Sequence, residues 1–585
     1  MAGISNLNVP VVLLFSFAIL QTSGYFDSSR SSDAFGRRFI VTLPIEVDTS
    51  IRMVHNIYVS SRSSEIVQVS VSRPNTSWTI PNVAIQPGIV ANITLNMTGT
   101  LRIPFNPNGI PIQIDSQHDI GVWVIPGRGD SVLGGYRAIP MEALAQHYVS
   151  VMYPSSAFSS EVILFNPLNE SNEINIYHQN TDMTITIDNV TRAVHTIPDI
   201  PNLLTIPKVD SAKISSSSDL SGLKISAAKA MWVTSGRNCS RSPQACNDLL
   251  EQPTPLGAWG QSFVIVPQIT NGPSIMKLRI ITAFLHIDTT VSTYTTSGLL
   301  MKNWTLTEKA VFKDINVTQG RLFTIRANKP IMVTQFYTDK QRRLDYAAMS
   351  NIPPVEQFTN RTVVFPAQND RIFNNTLVVI TRCEHRKDIL LNNKDISNNY
   401  SVSVNFNSMQ NSSVHGAYCV FNTTLVSGSN PGSHTLKLRS NANIGAVYSA
   451  IVYGVGTKEA YAYQVASDLQ EIVCGMEGGH VSLCEFYIPP DYITPSMNDT
   501  NNPTGGSEDT NNTNRHNHTI AVVIVLVILS SLAIIIIVIV VLGSCAKDKG
   551  PRVAWRRLQN TEMHYDPSYD EDNVECNGHI VRVLG

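Results

Sequence analysis

The sequence predicts an all-β protein built from tandem sandwich-like repeats. Short runs in which apolar and polar residues alternate occur at 174–187, 278–294 and 400–406, and Asn, Gly and Pro separate them. Long stripes of helical period are absent from 36–468. Four units of about a hundred residues would each be large enough to close one two-sheet core. The alternative is a circular closure in which each unit supplies two blades of a propeller.

A repeated segment marks the borders of the units. A proline, a large apolar residue four positions later and then a strand occur as Pro140 with Leu144, Pro255 with Trp259 and Pro354 with Phe358. Upstream, Gly36 and Phe39 copy Gly260 and Phe263. The repeats predict units at 36–139, 140–254, 255–353 and 354–468. We expect each large residue to fill the bottom of its unit's core, and an exposed ligand anchor is the alternative for Trp259.

The same segments carry a family resemblance. The opening GRRFIVTLP, the central CSRSPQACNDLLEQPTPLGAWGQSFVIVP, the third copy IRANKPIMVTQF with IPPVEQF, and the closing YGVGTKEAYAYQVA follow one another in family order. The matching residues in the centre are Cys239, Cys246, Asp248, Glu251, Pro255, Trp259 and Gly260. On these residues, 36–468 resembles the IgGFc-binding protein N-terminal domain family. The resemblance implies a β-repeat ectodomain that recognises an extracellular ligand, with immunoglobulin-like or mucosal glycoprotein partners.

Both the chain start and the cysteines predict a secreted route. The apolar run 11–20, followed by small residues, is typical of a signal peptide at 1–24, after which 25–35 would form a short arm. Six cysteines fall into the near pairs Cys239 with Cys246, Cys383 with Cys419, and Cys474 with Cys484, the last within a small segment at 469–493. We predict neighbour pairing in an oxidising compartment. Metal binding at the first pair is not expected, because no second ligand pair accompanies it.

Glycosylation sequons predict which part of the chain is extracellular. An N-x-S/T triplet begins at Asn75, Asn92, Asn96, Asn169, Asn189, Asn238, Asn303, Asn316, Asn360, Asn374, Asn399, Asn411, Asn422, Asn498, Asn511 and Asn517. All of these precede the apolar stretch 520–542. Since N-glycans are added only on the luminal side, the asymmetry predicts that everything before this stretch faces outward.

The C-terminal part predicts a membrane anchor with a short tail. An Asn, Thr, Gly and Ser tract at 494–519 is typical of a stalk, and 520–542 is apolar and long enough for a helix to span a bilayer of roughly 30 Å. A Lys and Arg cluster follows at 547–557, which places the tail in the cytosol. The tail, 543–585, offers Cys545 for acylation, and Tyr565 and Tyr569 for phosphorylation that a cytosolic adaptor would read. A merely solvated acidic tail is the alternative.

The composition disfavours several functions. The chain contains no metalloprotease, nucleophile-elbow, Walker or dinucleotide motif, and charged residues make up 15% of it, so we expect neither an enzyme nor a cofactor. A net charge of −2 also disfavours nucleic acid as a partner, because nucleic-acid binding needs a basic surface.

One short motif predicts a specific partner. Arg128, Gly129 and Asp130 lie within GRGDS, in a predicted loop. Integrins recognise such tripeptides by seating the Arg in an acidic groove and coordinating a divalent cation with the Asp carboxylate. Alternatively, Asp130 fixes a turn, since acidic residues also stand between strand and proline at Asp248 and Asp345.

These observations together predict a glycosylated, single-pass type I protein of the plasma membrane, with its N-terminus outside the cell. Its β-repeat ectodomain would bind an extracellular protein or glycan in adhesion or immune-type recognition. The alternative is a structural coat or spacer of the cell surface that has no specific ligand.

Overall fold

The computed structural model describes most of the predicted β region. The described residues are 33–43, 53–96, 110–128, 131–132, 134–153, 159–178, 184–187, 190–193, 202–238, 249–267, 274–283, 288–307, 310–317, 322–339, 347–369, 372–405, 416–426, 432–442, 445–456, 459–470, 575–576 and 579–580. The chain divides into two compact units, Met1–Ile493 and Thr494–Gly585. In these described ranges no helix is long and apolar enough to cross a membrane, and the predicted span 520–542 lies outside them.

The first repeat is a curled pair of layers joined by one long strand. Its strands are β1 (Gly36–Leu43), β2 (Val54–Ser61), β3 (Val67–Ser72), β4 (Thr79–Ile85), β5 (Ala91–Asn96), β6 (Ile110–Ile125), β7 (Gly127–Arg128), β8 (Ser131–Val132) and β9 (Tyr136–Arg137). The first part of β6 pairs with β1 and β3, whereas its last part pairs with β2 and β9. Because Val67, Val69 and Val71 alternate with more exposed residues along β3, the valines face a core between the layers.

The second repeat has the same plan with an added hairpin. Its strands are β10 (Ala145–Val149), β11 (Ser159–Asn166), β12 (Asn172–Tyr177), β13 (Thr184–Ile187), β14 (Val190–Ala193), β15 (Asn202–Ile206), β16 (Asp210–Ser216), β17 (Lys224–Asn238) and β18 (Leu249–Glu251). The long strand is β17, which pairs with β10 and β12 near its start and with β11 and β18 further along. The added hairpin, β13 and β14, extends the sheet beyond β16.

The third repeat has the same strand order as the first. Its strands are β19 (Gly260–Ile265), β20 (Ser274–Thr282), β21 (Thr289–Thr295), β22 (Leu300–Leu306), β23 (Phe312–Val317), β24 (Phe323–Asp339) and β25 (Ala348–Asn351). The order β22-β21-β24-β20-β23 matches β4-β3-β6-β2-β5 strand for strand, and β19 and β25 pair with β24 as β1 and β9 pair with β6.

In the fourth repeat the long strand is divided in two. Its strands are β26 (Val363–Ala367), β27 (Asn374–Arg382), β28 (Ile389–Leu391), β29 (Lys394–Asp395), β30 (Tyr400–Asn405), β31 (Ala417–Leu425), β32 (Gly432–Leu438), β33 (Tyr448–Val455) and β34 (Ala460–Ala466). One layer has the order β26-β32-β28-β29 and the other β30-β31-β27-β33-β34. The predicted all-β fold of sandwich-like repeats is therefore confirmed. In the second compact unit the structure describes one ladder, β35 (Glu575–Cys576) with β36 (His579–Ile580).

The repeated proline segments form the seams between repeats. Each proline precedes a short 3-10 helix, at Met141–Ala143, Leu256–Ala258 and Val355–Gln357. The seams are tight, because a Cβ atom added to Gly36 would lie 2.4 Å from Cβ of Pro140, and one added to Gly260 would lie 2.4 Å from Cβ of Pro354. Glycine at the start of a repeat thus lets the next repeat's proline approach closely.

The large residue of each segment is buried, as predicted, but at a seam and not at the bottom of one core. Trp259 is 1% exposed and packs with Val149 and Val151 of the second repeat and with Phe336 and Met349 of the third. The exposed-anchor interpretation of Trp259 is therefore wrong. Leu144 packs between the first and second repeats, and Phe358 between the third and fourth.

A fourth large apolar residue, Phe35, is buried at the remaining seam. Phe35 directly precedes Gly36, as Trp259 precedes Gly260, and it is 1% exposed. It packs edge-on against Trp123 of the first repeat and lies in one apolar cluster with Tyr463 of the fourth. The end of the predicted N-terminal arm is thus part of the folded region, and a seam joins the last repeat to the first.

Hydrogen bonds of polar side chains also link the four repeats one to the next in a closed circuit. Asn351 Nδ2 donates to Gln252 O (3.4 Å), and Gln464 Nε2 donates to Asn351 O (2.9 Å). The circuit closes at the first repeat, where Trp123 Nε1 donates to Gln464 O and Ile139 N to Gln252 Oε1 (2.9 Å). The repeats are therefore sandwich-like units in a closed arrangement. The sandwich-like units agree with the preferred prediction, and the closure agrees with the circular arrangement of the alternative.

Candidate binding surface

The place where the four repeats meet is buried and polar. Arg137 donates to the main-chain oxygens of Val465 (2.9 Å) and Ser467 (3.2 Å), so a first-repeat cation holds the fourth-repeat strand end. Burial lowers the pKa of Arg137 to about 10, although the nearby carboxylates of Asp33 and Asp468 oppose this shift. Burial also raises the pKa of Glu251 well above its usual range. These groups are inaccessible to a macromolecule, and their contacts hold the repeats together.

The cavity that the structure shows between the third and fourth repeats is small. Its volume is about 20 Å³, and its lining includes Val264, Tyr337, Ile352, Val378 and Ile451. Such a volume accommodates about one water molecule. The interior of this seam is therefore too small to hold a ligand.

The third repeat presents an apolar hairpin tip. Leu299, Leu300 and Met301 are consecutive at the turn between β21 and β22, and they are 68%, 59% and 47% exposed. Single exposed apolar residues are ordinary, but three adjacent ones at one tip are a typical feature of binding surfaces. We call these three residues the apolar tip.

The turn that carries the apolar tip is well ordered by hydrogen bonds. Thr295 N donates to Leu299 O (2.9 Å), and Gly298 N donates to Thr295 O (2.9 Å). Leu299 N also donates to Thr295 Oγ1 (3.1 Å). Gly298 has a φ of 83°, which a residue with a side chain rarely adopts. A tip held in one conformation pays little ordering entropy when a partner binds.

The corresponding tips of the first and fourth repeats are polar. Between β3 and β4 of the first repeat, the turn includes the sequon residue Asn75, with a φ of 60°. Between β28 and β29 of the fourth repeat, the turn residues are Asn392 and Asn393. Among the three tips that the structure describes, that of the third repeat alone is apolar. Sequence reasoning missed it, although three apolar residues after Ser-Gly break the alternation and would have signalled it.

Most of the sequon asparagines whose side chains the structure describes are exposed. Eight of the asparagines are exposed, namely Asn75, Asn92, Asn96, Asn169, Asn303, Asn316, Asn360 and Asn374. Asn422 is half-buried in β31, between β27 and β30, and is a poorer acceptor. The side chains of the other sequon asparagines, Asn189, Asn238, Asn399, Asn411, Asn498, Asn511 and Asn517, lie outside the described residues.

The remaining predicted sites are described only in part. Cys383 and Cys419 form a disulfide that closes a sequence separation of 36, as predicted. Arg128 pairs with Ser131 across β7 and β8, while Gly129 and Asp130 lie outside the described residues. The same holds for Asp248, Asp345, Cys239, Cys246, Cys474, Cys484, Cys545, Tyr565 and Tyr569. No cluster of three or more His, Cys, Asp and Glu side chains that would suit a metal ion occurs in the described part of the chain.

The fold and surface define an all-β repeat protein with a disulfide-linked fourth repeat and an exposed apolar hairpin. The chain belongs to the IgGFc-binding protein family, whose family model, described as IgGFc binding protein, matches residues 134–454. It is similar to the human IgGFc-binding protein, with 37% identity over 62 residues, which is 11% of this chain and 1% of that protein. The chain thus spans a small fraction of this relative's length.

Likeness to solved structures is slight. A Bacteroides uniformis beta-glucuronidase 2 has a TM-score of 0.08 at 8% identity, over 43% of this chain and 27% of that one. The major pilin RrgB of Streptococcus pneumoniae has a TM-score of 0.10 at 9% identity, over 73% of this chain and 90% of that one. Neither likeness supports an argument about fold or function.

Proposed function

We propose that this chain is an extracellular recognition protein whose apolar tip binds a protein ligand. The apolar tip carries the proposal, because it is exposed, ordered and unlike the polar tips of the first and fourth repeats. Family membership supports a protein ligand, since a relative is named for binding the Fc part of IgG. Immunoglobulin is accordingly the first ligand to test, followed by mucosal glycoproteins.

In this proposal the protein is anchored at the plasma membrane by 520–542, with its tail in the cytosol. The one-sided sequons and the basic cluster at 547–557 support that topology. Cys545 would add a lipid anchor, and Tyr565 and Tyr569 would recruit an adaptor after phosphorylation. A structural coat without a ligand remains the competing function, in which the apolar tip would contact nothing specific.

A binding screen on cells that display the full chain tests the proposal. Soluble immunoglobulin, mucin glycoproteins and matrix proteins serve as probes, and the test variant replaces Leu299, Leu300 and Met301 by Ser. A matched control replaces Ile66 and Ile89, which are 52% and 49% exposed in the first repeat, by Ser. We expect one probe to bind wild type and control and to lose at least ten-fold in affinity with the test variant. Equal binding by all three forms would contradict the role of the tip.

The GRGDS segment supports a second candidate partner, an integrin. Arg128 of β7 pairs with Ser131 of β8, and Gly129 and Asp130 come between them in the sequence. Attachment of integrin-bearing cells to the displayed chain should fall in an Asp130→Glu variant, which retains the charge but displaces the cation-binding carboxylate. Equal attachment to wild type and Asp130→Glu would leave Asp130 with its alternative role in fixing the turn.

A further inference from the structure

Two strands in equivalent positions each have one edge that pairs with no other described strand. Among the described strands, β5 pairs with β2 alone, and β23 pairs with β20 alone. The two strands hold the same place in the first and third repeats. The start of each strand adjoins a seam. Val90, the residue before β5, donates its N–H to Ser433 Oγ (2.9 Å), and Phe312, the first residue of β23, packs against the cluster that contains Trp259. Asn96 and Asn316 lie at or near the opposite ends of the two strands. An unpaired strand edge is a template for a strand of another chain.

The other two repeats show that this edge accepts a strand. In the second repeat, β16 takes the place of β5, and β13 pairs with it antiparallel, Ile187 opposite Ile214. In the fourth repeat, β31 takes that place and β30 pairs with it antiparallel, Ser403 opposite Cys419. In the first and third repeats no described strand takes this position, and the same geometry is available to an outside strand.

Both open edge strands carry sequons. Asn92 and Asn96 lie on β5 and Asn316 lies on β23, and all three side chains are exposed. Asn96 stands opposite Val54 of β2, and Asn316 stands opposite Lys277 of β20. On each strand the residues facing the core alternate with the sequon positions, as with Ile93 and Leu95 on β5. A branched glycan on such a strand occupies the space that an incoming strand needs.

We propose that N-glycans on β5 and β23 cover two strand-accepting edges and so prevent pairing with a second copy of this chain. A second copy fits because two identical antiparallel edges are self-complementary about a two-fold axis. Each copy has one such edge in the first repeat and another in the third, so uncovered copies would link into open chains and not only into dimers. This inference rests on the proposed extracellular location, because N-glycans are added only to chains that enter the secretory pathway.

The test compares two sets of sequon removals in the full chain expressed in mammalian cells with two different affinity tags. The edge variant is Asn92→Gln, Asn96→Gln and Asn316→Gln. The control variant is Asn75→Gln, Asn169→Gln and Asn360→Gln, which removes three exposed sequons from turns and loops. Capture on one tag should bring down the other tag at least five-fold more for the edge variant than for wild type, while the control behaves as wild type.

A further variant distinguishes pairing of the uncovered strand edges from nonspecific association caused by the loss of the soluble glycans. Asn92→Lys, Asn96→Lys and Asn316→Lys also lack the glycans, but they place like charges on both edges, which disfavours edge pairing. This form should stay as monomeric as wild type. The proposal is overturned if the edge variant is not co-captured, or if the control or the Lys variant is co-captured equally. Glycosidase treatment is read separately, since wild type that shows no mass change would contradict the extracellular location itself.

Discussion

Trp123 Nε1 donates a hydrogen bond to the main-chain oxygen of Gln464 over 3.2 Å and joins residues 341 apart in sequence. The bond links the first repeat to the last, and Phe35 packs edge-on against the same indole. Loop-closure entropy grows only slowly with length, so a contact between distant repeats costs little more than one between neighbours. Closure also leaves the apolar surface of both terminal repeats covered at a seam.

Truncation of Trp259 should strongly destabilise the seam between the second and third repeats. Removing a buried Trp side chain costs roughly 3–5 kcal/mol. On the proposed secretory route, Trp259→Ala should therefore be retained before it reaches the cell surface. Trp259→Phe keeps most of the apolar volume and loses the hydrogen bond from Nε1 to Thr254 O (3.0 Å), worth about 1 kcal/mol. Surface staining of intact cells measures both variants. Normal staining of Trp259→Ala at the cell surface would contradict the stabilising role of Trp259 at this seam.

Arg279 should contribute far more to stability than an exposed arginine. Its side chain is 2% exposed and binds Asp219 of the second repeat (2.6 Å) and Asp314 of the third (2.7 Å). Arg279→Met leaves the carboxylates of Asp219 and Asp314 without this partner. Because each carboxylate is 29% exposed, water compensates part of the loss, and the cost should lie below the roughly 3–5 kcal/mol of a fully buried pair. Arg37→Met is the control, because Arg37 is exposed and its pair with Asp119 is worth at most about 1 kcal/mol. Thermal unfolding that gives equal midpoints for the two variants would disprove the prediction.

Stability at the closing seam should fall as the pH rises towards neutrality. Burial raises the pKa of Asp468 to about 6, and the neighbouring carboxylate of Asp33 adds to this, while Arg361 and Arg137 oppose it. The folded form therefore holds the proton more tightly than the unfolded chain, whose value is 3.8. The contribution of Asp468 to the free energy of unfolding is therefore fully present below about pH 4 and is lost as the pH rises to about 6.

An Asp468→Asn variant checks this sign. It should be more stable than wild type at pH 7.5 and about equal to it at pH 4, as measured by thermal unfolding. A larger benefit of the substitution at pH 4 than at pH 7.5 would contradict the direction of the shift.

The disulfide between Cys383 and Cys419 should stabilise the fourth repeat. Closing a loop of this length restricts the unfolded chain by about 4 kcal/mol in the entropic description. Replacing both cysteines by Ala should lower the unfolding temperature and increase proteolysis at 372–405. Unchanged proteolysis of the double variant would show that the strands alone hold this repeat.

The membrane topology can be tested on intact cells. Protease added outside should remove the glycosylated part and leave a fragment that contains Tyr565, because the basic cluster is expected to keep the tail in the cytosol. Staining of unpermeabilised cells by an antibody to the tail would refute this topology.

Much of the fold was predictable from local sequence. The alternating runs identified strands, because side chains in a strand point to opposite faces in turn. The proline segments identified the seams, and the burial of Leu144, Trp259 and Phe358 followed from their size and position. Phe35 was also within reach, because Gly36 already copies Gly260 and the preceding residue therefore stands where Trp259 stands.

Only the tertiary structure decided how the repeats are arranged. A local pattern records which side chains are apolar, but it does not record which distant surface covers them. The contacts of Trp123, Arg137 and Arg279 join different repeats, and their partners are backbone oxygens and carboxylates that no sequence period marks. The open edges of β5 and β23 are also tertiary facts, because an edge exists only once it is known which strands pair.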